Sequence, residues 1–194
     1  MFIANFNLRR LKIKNSAFFY WFRWLDFLSI ILYFCHFYQT QKMIHQIVVN
    51  QHEWHIFLNR NAMHCRSSEY WKSIEAQLTS AQVPYCCHYA QSQREDSEVI
   101  WNCCRHGVRH FVVVGGDGSL NFFIDNVVKS GINISDIFVA VIPLGTGNDW
   151  ARSHHYPTKP QEAVTLFLNG KFISHDVGKV ATKSAEGESI RHFI

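Results

Sequence analysis

Phe111-Val112-Val113-Val114-Gly115-Gly116-Asp117-Gly118-Ser119 and Phe138-Val139-Ala140-Val141-Ile142-Pro143-Leu144-Gly145-Thr146-Gly147-Asn148-Asp149 decide the reading of this chain. Each is a β-branched apolar run that ends in a glycine-rich loop, at a point where a helix can begin. Glycines at such a turn let backbone N–H groups converge on an anion, and the positive end of a helix dipole reinforces them. Phosphate is the natural guest. The aspartate inside each loop would repel a bare phosphate, so a divalent cation or its water is expected between carboxylate and phosphate. The pair of loops reads as a cradle for a nucleotide with magnesium.

Working outward, strand-like and helix-like segments alternate from Met43 onward. Trp54–Leu58 reads as a strand. Ser68–Ala81 reads as an amphipathic helix with Ser68 placed as N-cap and Tyr70, Trp71, Ile74 and Leu78 inward. Tyr85–His88 is a short strand, Ser97–His106 a helix ended by Gly107, and 110–114 a strand. Ser119–Lys129 is a helix, 138–142 a strand stopped by Pro143, and Pro160–Leu168 a helix. Phe172–Ala181 is extended, and Arg191–Ile194 opens another strand across a polar turn at 183–188. Strands separated by helices of this length imply a parallel sheet, with both loops at carboxyl ends where open sheets hold ligands. The expected fold class is α/β: a three-layer, parallel-sheet nucleotide-binding domain, followed by two extended pieces joined by a hairpin turn.

Composition agrees. With 47% hydrophobic and 18% charged residues, the 194-residue chain can fill one sizeable core. The net charge of +4 is unevenly spread. Residues 1–42 carry Arg9, Arg10, Lys12, Lys14, Arg23 and Lys42 against Asp26, a balance of +5, which leaves −1 for the rest. A near-neutral globular part gives no case for nucleic acid. Six cysteines, including the pairs Cys86-Cys87 and Cys103-Cys104, form no C-x-x-C motif, and the 12 histidines show no H-E-x-x-H spacing. A zinc site is therefore poorly supported, and a reducing, cytoplasmic setting fits best.

Residues 16–38 are rich in aromatic and aliphatic side chains, but Arg23 and Asp26 leave an uncharged run shorter than a bilayer span needs. Three readings stay open: a membrane-surface helix with Trp21, Trp24 and Tyr33 at the interface, a marginal anchor, or a segment outside the functional domain. The last is favoured, since Met43 falls where the domain pattern starts.

The Gly-Gly-Asp-Gly-Ser turn and the run from Pro143 to Arg152 resemble the diacylglycerol kinase catalytic domain, the family of bacterial lipid kinases and sphingosine kinases. The resemblance covers roughly residues 54–194. It implies that Gly115, Gly116, Gly118 and the Ser119 hydroxyl contact nucleotide phosphates, and that Gly145, Thr146, Gly147 and Asn148 line the same pocket. Asn148 is also suited to cap the following helix. Asp117, Asp149 and Asp176 map to the aspartates that organise magnesium and water in similar proteins. Asp176 sits in a third match, His175-Asp176-Val177-Gly178-Lys179. Arg152 matches an arginine that positions a phosphate or holds Asp149. Taken singly, GGDG is a common tight turn, Asp149 a dipole-favoured helix acid and Arg152 a solvated side chain. The joint pattern carries the resemblance. NAD kinases share the GGDG turn, but their second motif differs.

Departures from the family pattern matter too. The expected Asn-Pro-x-x-Gly loop keeps Asn59, a nucleotide-binding candidate, but has Arg60 and Met63 in place of proline and glycine. Ala90 replaces a threonine, with Ser92 as a substitute, and Phe122 replaces a glutamate beside the retained Asn121. These changes bear on nucleotide affinity and leave the fold alone.

The resemblance implies ATP- and magnesium-dependent phosphoryl transfer to a lipid hydroxyl, diacylglycerol-like, by a cytoplasmic protein peripheral at a membrane surface. Such transfer needs in-line placement, a metal and a base. The base is expected from a second β domain, so the chain is expected to be a fragment with weak or no activity. The expected divisions are an extension (1–42), the α/β domain (43–170) and the start of the β domain (171–194). A homodimer is compatible with this reading. A non-catalytic nucleotide-binding homologue or membrane-associated regulatory module is the alternative.

Overall fold

The computed structural model describes residues 4–8, 44–59, 67–89, 92–145, 147–184 and 187–194. In chain order these form β1 (Ala4–Leu8), β2 (Ile44–Gln46), β3 (Trp54–Leu58), α1 (Ser67–Ser80), β4 (Tyr85–His88), α2 (Gln93–Arg105), β5 (His110–Gly115), α3 (Asp117–Lys129), β6 (Phe138–Pro143), α4 (Asp149–Ser153), α5 (Pro160–Leu168), β7 (Lys171–Ser184) and β8 (Gly187–Phe193). The sheet order is β2-β7-β1-β6-β5-β3-β4, with β8 paired to β7 off that path. β4, β3, β5 and β6 are mutually parallel, as the alternation of elements predicts.

The alternation of side chains along each strand builds two cores. Trp54 and Ile56 of β3, Val112 and Val114 of β5, and Ala140 and Ile142 of β6 face one way. They pack on Trp71, Ile74 and Leu78 of α1 and on Ala163, Val164 and Phe167 of α5. Phe57, Phe111, Val113, Val139 and Val141 face the other way, onto Ile100, Cys103 and Cys104 of α2 and Leu120, Phe123, Ile124 and Val127 of α3. β5 and β6 read as continuous apolar runs because both their faces are covered. The result is a three-layer α/β/α unit. Tyr70, expected inward, is half-buried against the first core.

Several boundaries differ from the sequence expectation; α1 begins at Ser67, so Ser68, expected as its N-cap, already lies within the helix. α2 begins at Gln93 rather than Ser97, because the Ser92 side chain accepts the Glu95 N–H at 3.2 Å and Glu95 and Asp96 occupy the first turn. An N-cap hydroxyl and first-turn acids start a helix before its apolar periodicity begins. α3 begins at Asp117 rather than Ser119, so part of the glycine loop is already helical. β7 runs to Ser184 and β8 starts at Gly187; their hairpin register pairs Ser184 with Gly187 across residues 185–186, which lie outside the described set.

β7 passes without a break from the sheet into this hairpin. Ile173–Val177 lies parallel to Ala4–Leu8, and Gly178–Ser184 pairs antiparallel with β8. Residues 4–8, within the expected 1–42 extension, thus supply a strand between β6 and β7. The aromatic stretch 16–38 lies outside the described residues. Among those described, no helix is long and apolar enough to cross a membrane.

Candidate functional site

The order of winding fixes where a ligand can enter. From β3 the chain moves outward to β4 through α1 on one face, then returns to β5 through α2 on the other. The helices that follow β3 and β5 therefore lie on opposite faces, which opens a crevice at the carboxyl ends of these adjacent strands. Asn59 leaves β3 there and Gly115-Gly116 leave β5. The Asn59 backbone N–H donates to the Val114 carbonyl at 3.1 Å, and its side-chain amide donates to Ser119 Oγ at 2.8 Å. Ser119, expected to meet phosphate, also ties the β3 loop to α3.

The two glycine loops touch each other. A Cβ on Gly145 would stand 2.6 Å from Gly116 Cα and 2.9 Å from its nitrogen; one on Gly116 would stand 2.7 Å from the Gly147 carbonyl oxygen. Both obstacles are backbone, so glycine is demanded at both positions by close approach. Leu144 N–H donates to the Gly115 carbonyl at 3.0 Å, and Asp117 N–H to the Gly147 carbonyl at 3.3 Å. At Gly118 an added Cβ meets nothing within 4 Å. No contact within the described chain explains glycine there; it leaves open space over the first turn of α3.

Asp117 joins the loops electrostatically. Its carboxylate accepts the N–H of Asp149 at 2.8 Å through Oδ2 and that of Trp150 at 3.1 Å through Oδ1. It thereby caps α4 from 32 residues away. Asn148, expected to cap this helix, makes no side-chain cap bond; its amide instead donates to the Gly145 carbonyl at 2.9 Å and braces the loop. Arg152 holds Asp149, with Nη2 3.2 Å from Oδ1, in the manner the resemblance offers. The pair is exposed and contributes little to stability. α4 is anchored from below by Tyr156, whose backbone N–H donates to the Ala151 carbonyl and whose hydroxyl donates to the Val141 carbonyl of β6 at 2.7 Å. Burial drives the Tyr156 hydroxyl pKa well above its ordinary value, the bond to Val141 opposing only in part.

Asp117 and Asp149 line one cleft of about 330 Å³, together with Asn121, Trp150, Ser153 and His154. Asn121 is the residue the family pattern retains, whereas Trp150, Ser153 and His154 are not sequence candidates. The available signal was helical: 149, 150, 153 and 154 fall on one side of a short helix. Trp150 Nε1 is buried at this cleft with no hydrogen-bond partner among the described residues. Asp176 does not line the cleft. It lies on β7 in register with Asn7, and its neighbour His175 reaches His154, with the two Nε2 atoms 3.1 Å apart. Thr146, Arg60, Met63 and Ala90 lie outside the described residues.

The model of the diacylglycerol kinase catalytic domain matches residues 53–180. The chain belongs to that family. A diacylglycerol kinase of Staphylococcus carnosus is 33% identical over 72 residues, which are 37% of this chain and 22% of that protein. One of Staphylococcus saprophyticus is 32% identical over 72 residues, 37% and 23% of the respective chains. The crystal structure of a diacylglycerol kinase from Bacillus anthracis superposes with a TM-score of 0.54 at 21% identity, covering 70% of this chain and 45% of that one. At that identity the superposition speaks for the fold. The match spans less than half the length of each of these relatives.

Proposed function

We propose that the paired loops bind ATP with magnesium, as the nucleotide-binding part of a kinase that transfers the γ-phosphoryl group to a lipid hydroxyl, diacylglycerol-like, at a membrane surface. The observation that carries this reading is the backbone contact of Gly116 with Gly145, bridged by Asp117, at the crevice between β3 and β5. Family membership adds kinase chemistry to that geometry.

The residues fit such a guest. The open space at Gly118 lets a phosphate approach the first amides of a 13-residue helix, where dipole and N–H groups favour an anion. Asn59, Gly115, Ser119, Thr146, Gly147, Asn148 and Arg152 complete the assigned nucleotide contacts. Asp117 and Asp149 offer hard oxygen donors on one cleft, and each Asp117 oxygen keeps a lone pair beyond the one N–H it accepts. Asp176, which does not line this cleft, is assigned to the same cation on the family resemblance alone. When bound, magnesium would neutralise charge on the transferring phosphoryl group. The chain's own part is to hold the triphosphate still and orient it. No described residue is assigned as the base for the lipid hydroxyl.

Calorimetric titration of ATP with and without magnesium tests the reading. Saturable binding that requires magnesium, and that Gly145→Ala abolishes, is expected. Absence of binding in both conditions by a folded chain would overturn it and favour a family member that has lost the nucleotide.

A further inference from the structure

A second group of chemically capable side chains lies away from the glycine loops, where the edge strand β4 meets β3 and α2. In parallel register His55 stands opposite Cys86, and Phe57 opposite His88. Strand alternation puts His55, Cys86 and His88 on the face covered by α2, and α2 directs Cys103 into the same space. His55 Nδ1 and His88 Nε2 are 2.9 Å apart. Cys103 Sγ lies 3.3 Å from the first and 3.9 Å from the second. Ligand atoms of His55, Cys86 and His88 all lie within 4.8 Å of one another. Cys86 and Cys103 are free thiols.

We propose that His55, Cys86, His88 and Cys103 form a structural, tetrahedral zinc site that fastens the edge strand β4 to β3 and α2. Zinc takes imidazole nitrogen at about 2.0–2.1 Å and thiolate sulfur at about 2.3 Å, so tetrahedral ligand atoms stand roughly 3.3–3.8 Å apart. The observed separations among the two nitrogens and Cys103 Sγ straddle that range, and Cys86 Sγ, within 4.8 Å of the histidine ligand atoms, must draw inward to complete the set. Two imidazoles with two thiolates select zinc over hard cations such as magnesium. Two thiolates also cancel the dication, which suits a half-buried place. The rings are already oriented: Phe57 stacks on His88 at 4.7 Å and Phe111 meets His55 edge-on at 6.3 Å. The ligands come from two strands and a helix, so a search for C-x-x-C passes over them. The one local trace is Cys86-Cys87-His88, whose outer members share a strand face.

The test uses the whole purified chain, stripped with chelator and titrated with cobalt(II), then zinc. One equivalent should bind, giving a thiolate-to-cobalt charge-transfer band and the strong visible bands of a tetrahedral ion, both erased by zinc. Cys86→Ser should weaken binding by more than about 100-fold, since a direct ligand matters more than the outer-shell groups worth 10–100-fold. His88→Asn, on the half-buried edge strand, is the second variant should Cys86→Ser fail to fold. In the unmutated chain, zinc should shield Cys86 and Cys103 from alkylation, read by peptide mass mapping. Weak octahedral cobalt bands, a cobalt affinity that neither variant lowers, or thiols that zinc leaves unshielded would each overturn the assignment. None of these readouts depends on ATP.

Discussion

Gly118→Ala separates the requirements of the fold from those of the ligand. Gly118 is the second residue of α3, its φ is not positive, and a methyl group there would meet nothing within 4 Å. Alanine at a compatible helical position stabilises by about 0.4–1 kcal/mol, chiefly by narrowing the unfolded ensemble. For a chain of this size that is a rise of about 1–4 °C in melting temperature. The same methyl would occupy the space through which a phosphate approaches the α3 amides. Loss of one charge-assisted hydrogen bond costs about 1.5–3 kcal/mol, or roughly 10- to 100-fold in affinity. The expected outcome is thus a more stable protein that binds magnesium–ATP more weakly. Thermal denaturation and calorimetry on one preparation measure both. Unchanged affinity in a stabilised variant would refute the phosphate cradle; a destabilised variant would refute the local helix geometry.

Other expectations follow from single groups. Asp117→Asn keeps the shape but weakens the cap on α4, costing about 1 kcal/mol in urea denaturation, and nucleotide binding should lose its magnesium dependence. Asp125, buried on α3, receives Lys129 at 2.6 Å, Arg191 at 3.3 Å and both the backbone and ring nitrogens of His192 at 3.0 Å. Burial pushes its carboxyl pKa up, but the bonds from Lys129 and His192 outweigh that and hold it below the ordinary value of 3.8. Its stabilisation is present above that value and fades as pH falls through the lower folded one. Asp125→Asn should cost about 2 kcal/mol near neutrality and flatten that acid limb in denaturation series run against pH. His110 behaves differently: burial first, then neighbouring His52, stacked at 4.1 Å, lowers its pKa from 6.5 to about 4. The unfolded chain takes up a proton that the folded one refuses, so acidification from pH 6.5 towards 4 erodes stability. His110→Phe should lessen that erosion, read as melting temperature against pH.

The layered sheet was legible because β5 and β6 are uninterrupted β-branched runs, and only strands covered on both faces tolerate that pattern. Their glycine loops were legible for a related reason: Gly116 and Gly145 are glycines that backbone contact demands. Helix starts were less so. Ser92 with Glu95 opens α2 without apolar periodicity, and Asp117-Gly118 looks like loop composition although it is already helix. Asn148 has the composition of a cap, yet the carboxylate that caps α4 comes from Asp117, and no local pattern encodes a partner so remote. The histidine–cysteine cluster was hidden for the same reason, since its members converge only through the register of β3 with β4 and the packing of α2 on them. The placement of residues 4–8 between β6 and β7 had no sequence signal at all, because five residues carry too little periodicity to specify a neighbour.

Helix α3 touches different machinery along its length. Its first residue bridges the glycine loops, while Asp125, eight residues on and therefore about 12 Å away, grips the returning arm of the β7–β8 hairpin. Between them, Asn121 Oδ1 accepts the Ile194 backbone N–H at 3.2 Å. One continuous helix thus carries both the carboxylate at the proposed triphosphate seat and the carboxylate that holds the hairpin, so neither attachment can be rebuilt without altering the same element.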